Sequence, residues 1–108
     1  MPKRGDIVLI PFPFTDLSGQ KVRPALVLSK QAKGSDVIVV FISSKHKSPA
    51  VAVVPITPSQ QNGIKIASYI ICDKIATLDR KIVLGQLGRL ESEVQSKVDQ
   101  TVAVVLGL

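Results

Sequence analysis

A chain of 108 residues is long enough for one hydrophobic core and too short for two independent ones, so a single domain over residues 1–108 is expected. With 45% hydrophobic and 20% charged residues, disorder is excluded, and with three Phe, one Tyr and no Trp the core must be aliphatic. Fourteen Lys and Arg against eight Asp and Glu leave a net charge of +6, in short clusters (Lys3-Arg4, Lys21/Arg23, Lys45/Lys47, Arg80-Lys81), which points to an anionic partner.

Gly5-Asp6 opens the first element, and Ile7 to Ile10 forms a short strand closed by Pro11 and Pro13. The apolar run is too short and too soon broken to be a signal peptide or a membrane span. From Phe14 to Val22 the chain carries Asp, Ser and Gly without apolar periodicity and reads as an exposed loop. Because Arg23 precedes Pro24, its backbone is biased toward extended geometry, so Lys21 and Arg23 stand at the mouth of a second strand, Ala25 to Leu28.

After QAKGSD, the run Val37 to Ile42 is apolar on both faces and is expected to be a central strand. SSKHKSP makes a polar, basic connection to a fourth strand, Val51 to Ile56, and the loop TPSQQNG follows. Ser68 to Ile75 is the fifth strand; Thr77 to Lys81 reads as a turn or short helical turn, and Val83 to Leu87 as a last extended piece. Five or six strands in so few residues favour a small closed or nearly closed barrel, hence a mainly β fold. Beyond Gly88, Leu90, Val94, Val98, Val102 and Val105 recur at helical spacing, with Glu91 and Glu93 in the first turn and Gly107 as the C-cap. The chain therefore ends in an amphipathic helix that packs on the sheet.

The chemistry-bearing residues are few. One His and one Cys far apart, without clustered carboxylates, do not supply the usual metal ligand sets, so neither metal nor cofactor is expected. Cys72, inside the apolar run YIIC, reads as a buried structural thiol and suits a reducing, cytoplasmic setting. No P-loop, GxGxxG or GxSxG occurs. Polar residues remain at strand ends: Arg23 with Lys21; Ser43-Ser44 with Lys45 and His46; Asp73-Lys74 with Thr77. Arg23 has the planar fork that suits a phosphate, or it faces water; Ser43 and Ser44 can donate to the same phosphate or simply make a turn. Asp73 is expected to be half buried and paired with a basic side chain. His46 can exchange a proton near neutral pH, but between two lysines it reads as a solvated loop residue.

GDIVLIPF at the start, VRPALVLS after the polar loop, the FISS strand end, SYIICDKIATLDR and the C-terminal ESEVQSKVDQTVAVVLGL, taken in this order, resemble the MazF/PemK family of toxin endoribonucleases from type II toxin–antitoxin modules. The likeness runs over essentially the whole chain. It implies an SH3-like barrel with helices, a homodimer, and metal-independent cleavage of single-stranded RNA at short sequences. The reaction so implied is attack by the ribose 2′-hydroxyl, which leaves a 2′,3′-cyclic phosphate. The family's loop arginine falls on Arg23 and its strand-end hydroxyl on Ser43, with Asp73 as the third catalytic position. The implied RNA contacts are Gly19, Gln20, Lys21, Ser44, Lys45, Lys74 and Thr77. An acidic antitoxin is the implied protein partner, competing with RNA for one basic groove.

The chain departs from the pattern at Ile71, where some members carry an arginine, at Ala76, where arginine is usual, and at Lys74, where glutamine is usual. The alternative is therefore a catalytically weakened module that binds RNA or an acidic antitoxin without cutting. A fold relative that poisons a protein target, as the CcdB-like branch does, is disfavoured by the RPALVLS and CDKIATLDR segments.

Overall fold

In a computed structural model of the protein, residues 2–12, 21–30, 34 and 36–108 are described. Six strands form one curled antiparallel sheet: β1 (Asp6–Phe12), β2 (Lys21–Val27), β3 (Asp36–Ser43), β4 (Val53–Ile56), β5 (Ser68–Asp79) and β6 (Gly85–Arg89). Their order across the sheet is β4-β5-β3-β2-β1-β6, and a single helix, α1 (Ser92–Leu106), ends the chain. The sheet keeps two edges, β4 and β6, and so curls as a half-barrel.

Alternation along the strands divides the apolar residues between two cores. Ile7, Leu26, Val40, Ile42, Ile70 and Cys72 face the helix and meet Val98, with Val94, Val102 and Val105 around it. Val8, Ile10, Ala25, Val27, Val37, Val39 and Leu78 face the other way and are joined by Phe41 and Ile82. β3 supplies both cores while pairing with β2 on one side and β5 on the other, which is why its sequence is apolar without alternation.

The structure departs from the sequence expectation mainly along β5. This strand does not stop at Ile75 but runs to Asp79, because β3 continues opposite it: Ile38 pairs with Thr77, Val37 with Leu78 and Asp36 with Asp79. The turn comes three residues later, as a 3-10 turn at Arg80–Ile82 whose first free N–H, that of Lys81, is accepted by the Asp79 carboxylate at 2.9 Å. Val51 likewise lies in a 3-10 turn, Ala50–Ala52, ahead of β4.

At the helix, Glu91 is the cap residue and only Glu93 lies in the first turn; Gly107 ends the helix in the left-handed region (φ 75°), its N–H reaching the Ala103 and Val104 carbonyls. The Glu91 carboxylate turns away from its own helix and accepts from the Ser59 hydroxyl and from Asn62 Nδ2. It thereby fastens the loop between β4 and β5 to the start of α1. That loop lies so close to β6 that a Cβ on Gly88 would come within 2.3 Å of the Gln61 carbonyl oxygen.

Candidate nucleic-acid interface

The register aligns a row of side chains on the face away from the helix. Ile10 is opposite Arg23, and Ala25 is opposite Phe41, so two residues further along β2 and β3 Arg23 comes level with Ser43. Ser43 is opposite Tyr69, and Tyr69 opposite Pro55. The neighbouring row is apolar: Ala25, Phe41, Ile71 and Val53. Two strands distant in sequence thus deliver an arginine and a hydroxyl to one line, with an apolar floor beside it.

β5 carries a wide irregularity at this place. Val40 is opposite Ile75 but Phe41 is opposite Ile71, so Cys72, Asp73 and Lys74 have no partners on β3. Such extra residues bend a strand and re-aim its side chains. Cys72 stays fully buried, whereas Asp73 and Lys74 are exposed. Burial pushes the Cys72 thiol up to about 11, with the charge of Asp73 adding to the effect. It is a structural thiol, as its apolar setting suggested.

Over this face opens a cavity of about 450 Å³, walled by Arg23, Ser43, Lys45, Lys47 and Lys74, floored by Phe41 and Ile71, and closed on the loop side by His46 and Ser48. Four cations and no carboxylate line it among the described residues. A cavity so built holds an anion at its rim through charge-assisted hydrogen bonds and a flat apolar group against its floor. Ile71 is almost completely buried here and forms that floor.

The expected site residues divide accordingly. Arg23, Ser43, Lys45 and Lys74 come together at the cavity. Ser43 Oγ also accepts from the Lys45 N–H at 3.2 Å, so it makes the turn and lines the cavity at once. Ser44 is exposed and outside the lining; Thr77 is exposed opposite Ile38; Lys21 is exposed at the start of β2. Gly19 and Gln20 lie outside the described residues.

Asp73 is neither half buried nor paired with a base. It is exposed, absent from the lining, and its Oδ1 accepts from the Ser48 hydroxyl at 2.8 Å, because the irregularity in β5 carries it outward.

Lys47 and Ser48 are lining residues absent from the strand-end candidates, and His46, a candidate read as a solvated loop residue, lines the cavity with them. His46 is half-buried: its ring meets Tyr69 edge-on, centroids 4.6 Å apart, and its Nδ1 is buried without a hydrogen-bond partner among the described residues. The alternation of basic residues in SKHKS was the available signal, but only the return of this loop over Tyr69 gives it a site.

A small curled β-sheet with one helix packed on it and a cationic cavity on its open face defines the class of fold. The sequence matches the model of the PemK-like, MazF-like toxin of type II toxin-antitoxin system over residues 3–106, and the chain belongs to that family. A relative from Mycolicibacterium smegmatis, named "Probable endoribonuclease MazF", is 28% identical over 91 residues, covering 82% of this chain and 83% of its own.

Among solved structures, an endoribonuclease from a mycobacterial species in complex with its cognate antitoxin superposes with a TM-score of 0.81. It is 22% identical and covers 100% of this chain and 97% of that one. The MazF of a MazE–MazF structure from Deinococcus radiodurans superposes with a TM-score of 0.76, at 24% identity, over 99% and 97% of the two chains. These similarities bear out the mainly β fold and the family read from the sequence. No helix among the described residues is long and apolar enough to cross a membrane.

Proposed function

We propose that this protein is the toxin of a type II toxin–antitoxin module, an endoribonuclease that cleaves single-stranded RNA. The observation that carries the reading is the convergence of Arg23, Ser43, Lys45, Lys47 and Lys74 on one cavity with an apolar floor. Arg23 grips the scissile phosphate, where its planar fork suits two oxygens and offsets the charge that gathers there during transfer. Ser43 donates to the same phosphate. Lys45, Lys47 and Lys74 hold flanking phosphates, and an unstacked base lies on Phe41 and Ile71.

The attacking group is the ribose 2′-hydroxyl, and the products are a 2′,3′-cyclic phosphate and a 5′-hydroxyl end. The protein needs no nucleophile of its own, and the cations supply the charge stabilisation without a metal. The working unit is a cytoplasmic homodimer of the single domain 1–108, and an acidic antitoxin segment neutralises it by filling the same cationic cavity. The test is cleavage of a long single-stranded RNA in EDTA, with Arg23→Ala and Ser43→Ala alongside. Discrete fragments ending in cyclic phosphate, reduced by about 10²-fold or more in the arginine variant, are expected. Intact RNA, or cutting undiminished in Arg23→Ala, would overturn the reading.

A second reading is favoured by Ile71 in the floor and Asp73 turned away from it: a module that binds RNA or an antitoxin without cutting. Salt-dependent RNA binding with no product would select it.

A further inference from the structure

Transfer from a 2′-hydroxyl needs a group that accepts its proton, and the described residues of the cavity wall are short of such groups. Arg23, Lys45, Lys47 and Lys74 are donors only in their charged forms, and Ser43 and Ser48 are not basic. Asp73 is exposed outside the wall and engaged by Ser48. Tyr69 is not among the residues that line the cavity. Among the described residues, the one remaining lining side chain with a basic lone pair is His46.

Its loop is pinned at both ends. The Lys45 N–H reaches Ser43 Oγ at 3.2 Å at the exit of β3, and Ser48 Oγ reaches Asp73 Oδ1 at 2.8 Å at the irregularity of β5. Between these ties the imidazole is held edge-on against Tyr69, the residue paired with Ser43. Its Nδ1 is closed off from water and from any protein partner among the described residues, which leaves Nε2 as the nitrogen open to a substrate.

We infer that His46 is the general base of the RNA cleavage proposed above, on which this inference rests. Nε2 takes the proton of the 2′-hydroxyl, the 2′-oxygen forms its bond to phosphorus, the P–O5′ bond breaks, and the 5′-oxygen takes a proton from water. The imidazolium then returns its proton to solvent. Asp73 is a positioning residue in this scheme, acting through Ser48 on the loop that carries His46. The charged and titratable groups around the imidazole are Arg23 from β2, Lys45 and Lys47 from its own loop, and Tyr69, Lys74 and, behind Ser48, Asp73 from β5.

The experiment is single-turnover cleavage of a short RNA in EDTA from pH 5 to 8, by the wild type, His46→Gln and His46→Ala, with RNA binding and thermal melting of each. In the wild type the rate should rise about tenfold per pH unit at the acid end and level off once the base is fully deprotonated. His46→Gln should lose about 10²-fold in rate, lose the acid limb, and bind RNA within about threefold of the wild type. Added imidazole should restore part of the rate to His46→Ala.

A wild-type rate that is flat with pH, or a His46→Gln rate within about threefold of wild type, overturns the assignment. If the variants do not fold, the wild-type profile alone decides. A wild type that leaves RNA uncut sinks the proposed function and this inference together, whereas a wild type that cuts without an acid limb sinks only the inference.

Discussion

Asn62 is the buried polar residue on which the loop between β4 and β5 depends. It is 1% exposed, and its side chain is fully used. Oδ1 accepts from the Ile64 N–H at 2.9 Å and the Ser59 N–H at 3.1 Å, while Nδ2 donates to the Thr57 carbonyl at 2.9 Å and to Glu91 Oε1 at 3.3 Å. Asn62→Ala removes all four. The Ile64 N–H is left orphaned in a buried position, at about 1–3 kcal/mol, and the part-buried Ser59 N–H at about 1 kcal/mol. The exposed Thr57 carbonyl can turn to water and adds little.

The gap cannot close by collapse, since the loop already touches β6 backbone to backbone at Gly88. The expected loss is about 3 kcal/mol, a large share of the roughly 5–15 kcal/mol typical of a domain of this size. It should lower Tm by about 10–20 °C, read by calorimetry or circular dichroism, and move the urea midpoint without changing the slope. A fall in Tm of less than about 3 °C would refute the assignment of these bonds.

Burial acts to raise the Glu91 carboxyl, but the hydroxyl of Ser59, its own backbone N–H and the Asn62 amide outweigh it and hold the group below its usual range. Its folded value being depressed, the stability it contributes is full above the ordinary glutamate range, about pH 4.3, and is lost as pH falls through the lowered value; the stability gap between wild type and Glu91→Gln should therefore shrink toward pH 2–3 in a urea series. Cys72, fully buried and raised to about 11, should label with a thiol reagent at pH 8 at least about 10²-fold more slowly in the native protein than in urea; labelling at the unfolded rate would contradict its burial. Lys74→Ala should weaken single-stranded RNA binding whatever the sequence and reduce the slope of log K against log salt by about 0.7, as measured by fluorescence anisotropy; an unchanged slope would remove Lys74 from the phosphate contacts.

Several features of the protein are local in origin and were readable as sequence. Arg23 is held extended by Pro24, the two-faced apolar run Val37 to Ile42 demands a central place, and valines at helical spacing give an amphipathic terminal helix, whereas the first strand does not stop at Ile10 but runs through Pro11, paired with Val22, to Phe12. Arg23 and Ser43 were accessible as candidates because strand ends are legible, and the family likeness singled them out.

What tertiary structure decided is register and return. Nothing local to Cys72, Asp73 and Lys74 says that β3 skips them, since the skip depends on which residues of two distant strands pair. The same pairing extends β5 past the expected turn, lifts Asp73 out of the cavity, and lays Ile71 in its floor. His46 shows the limit most plainly. In sequence it is a polar residue between two lysines; in the fold, two hydroxyl ties hold its loop and its ring lies edge-on to Tyr69 at the cavity wall. Secondary structure follows from neighbours along the chain, whereas a site follows from which neighbours meet across the sheet.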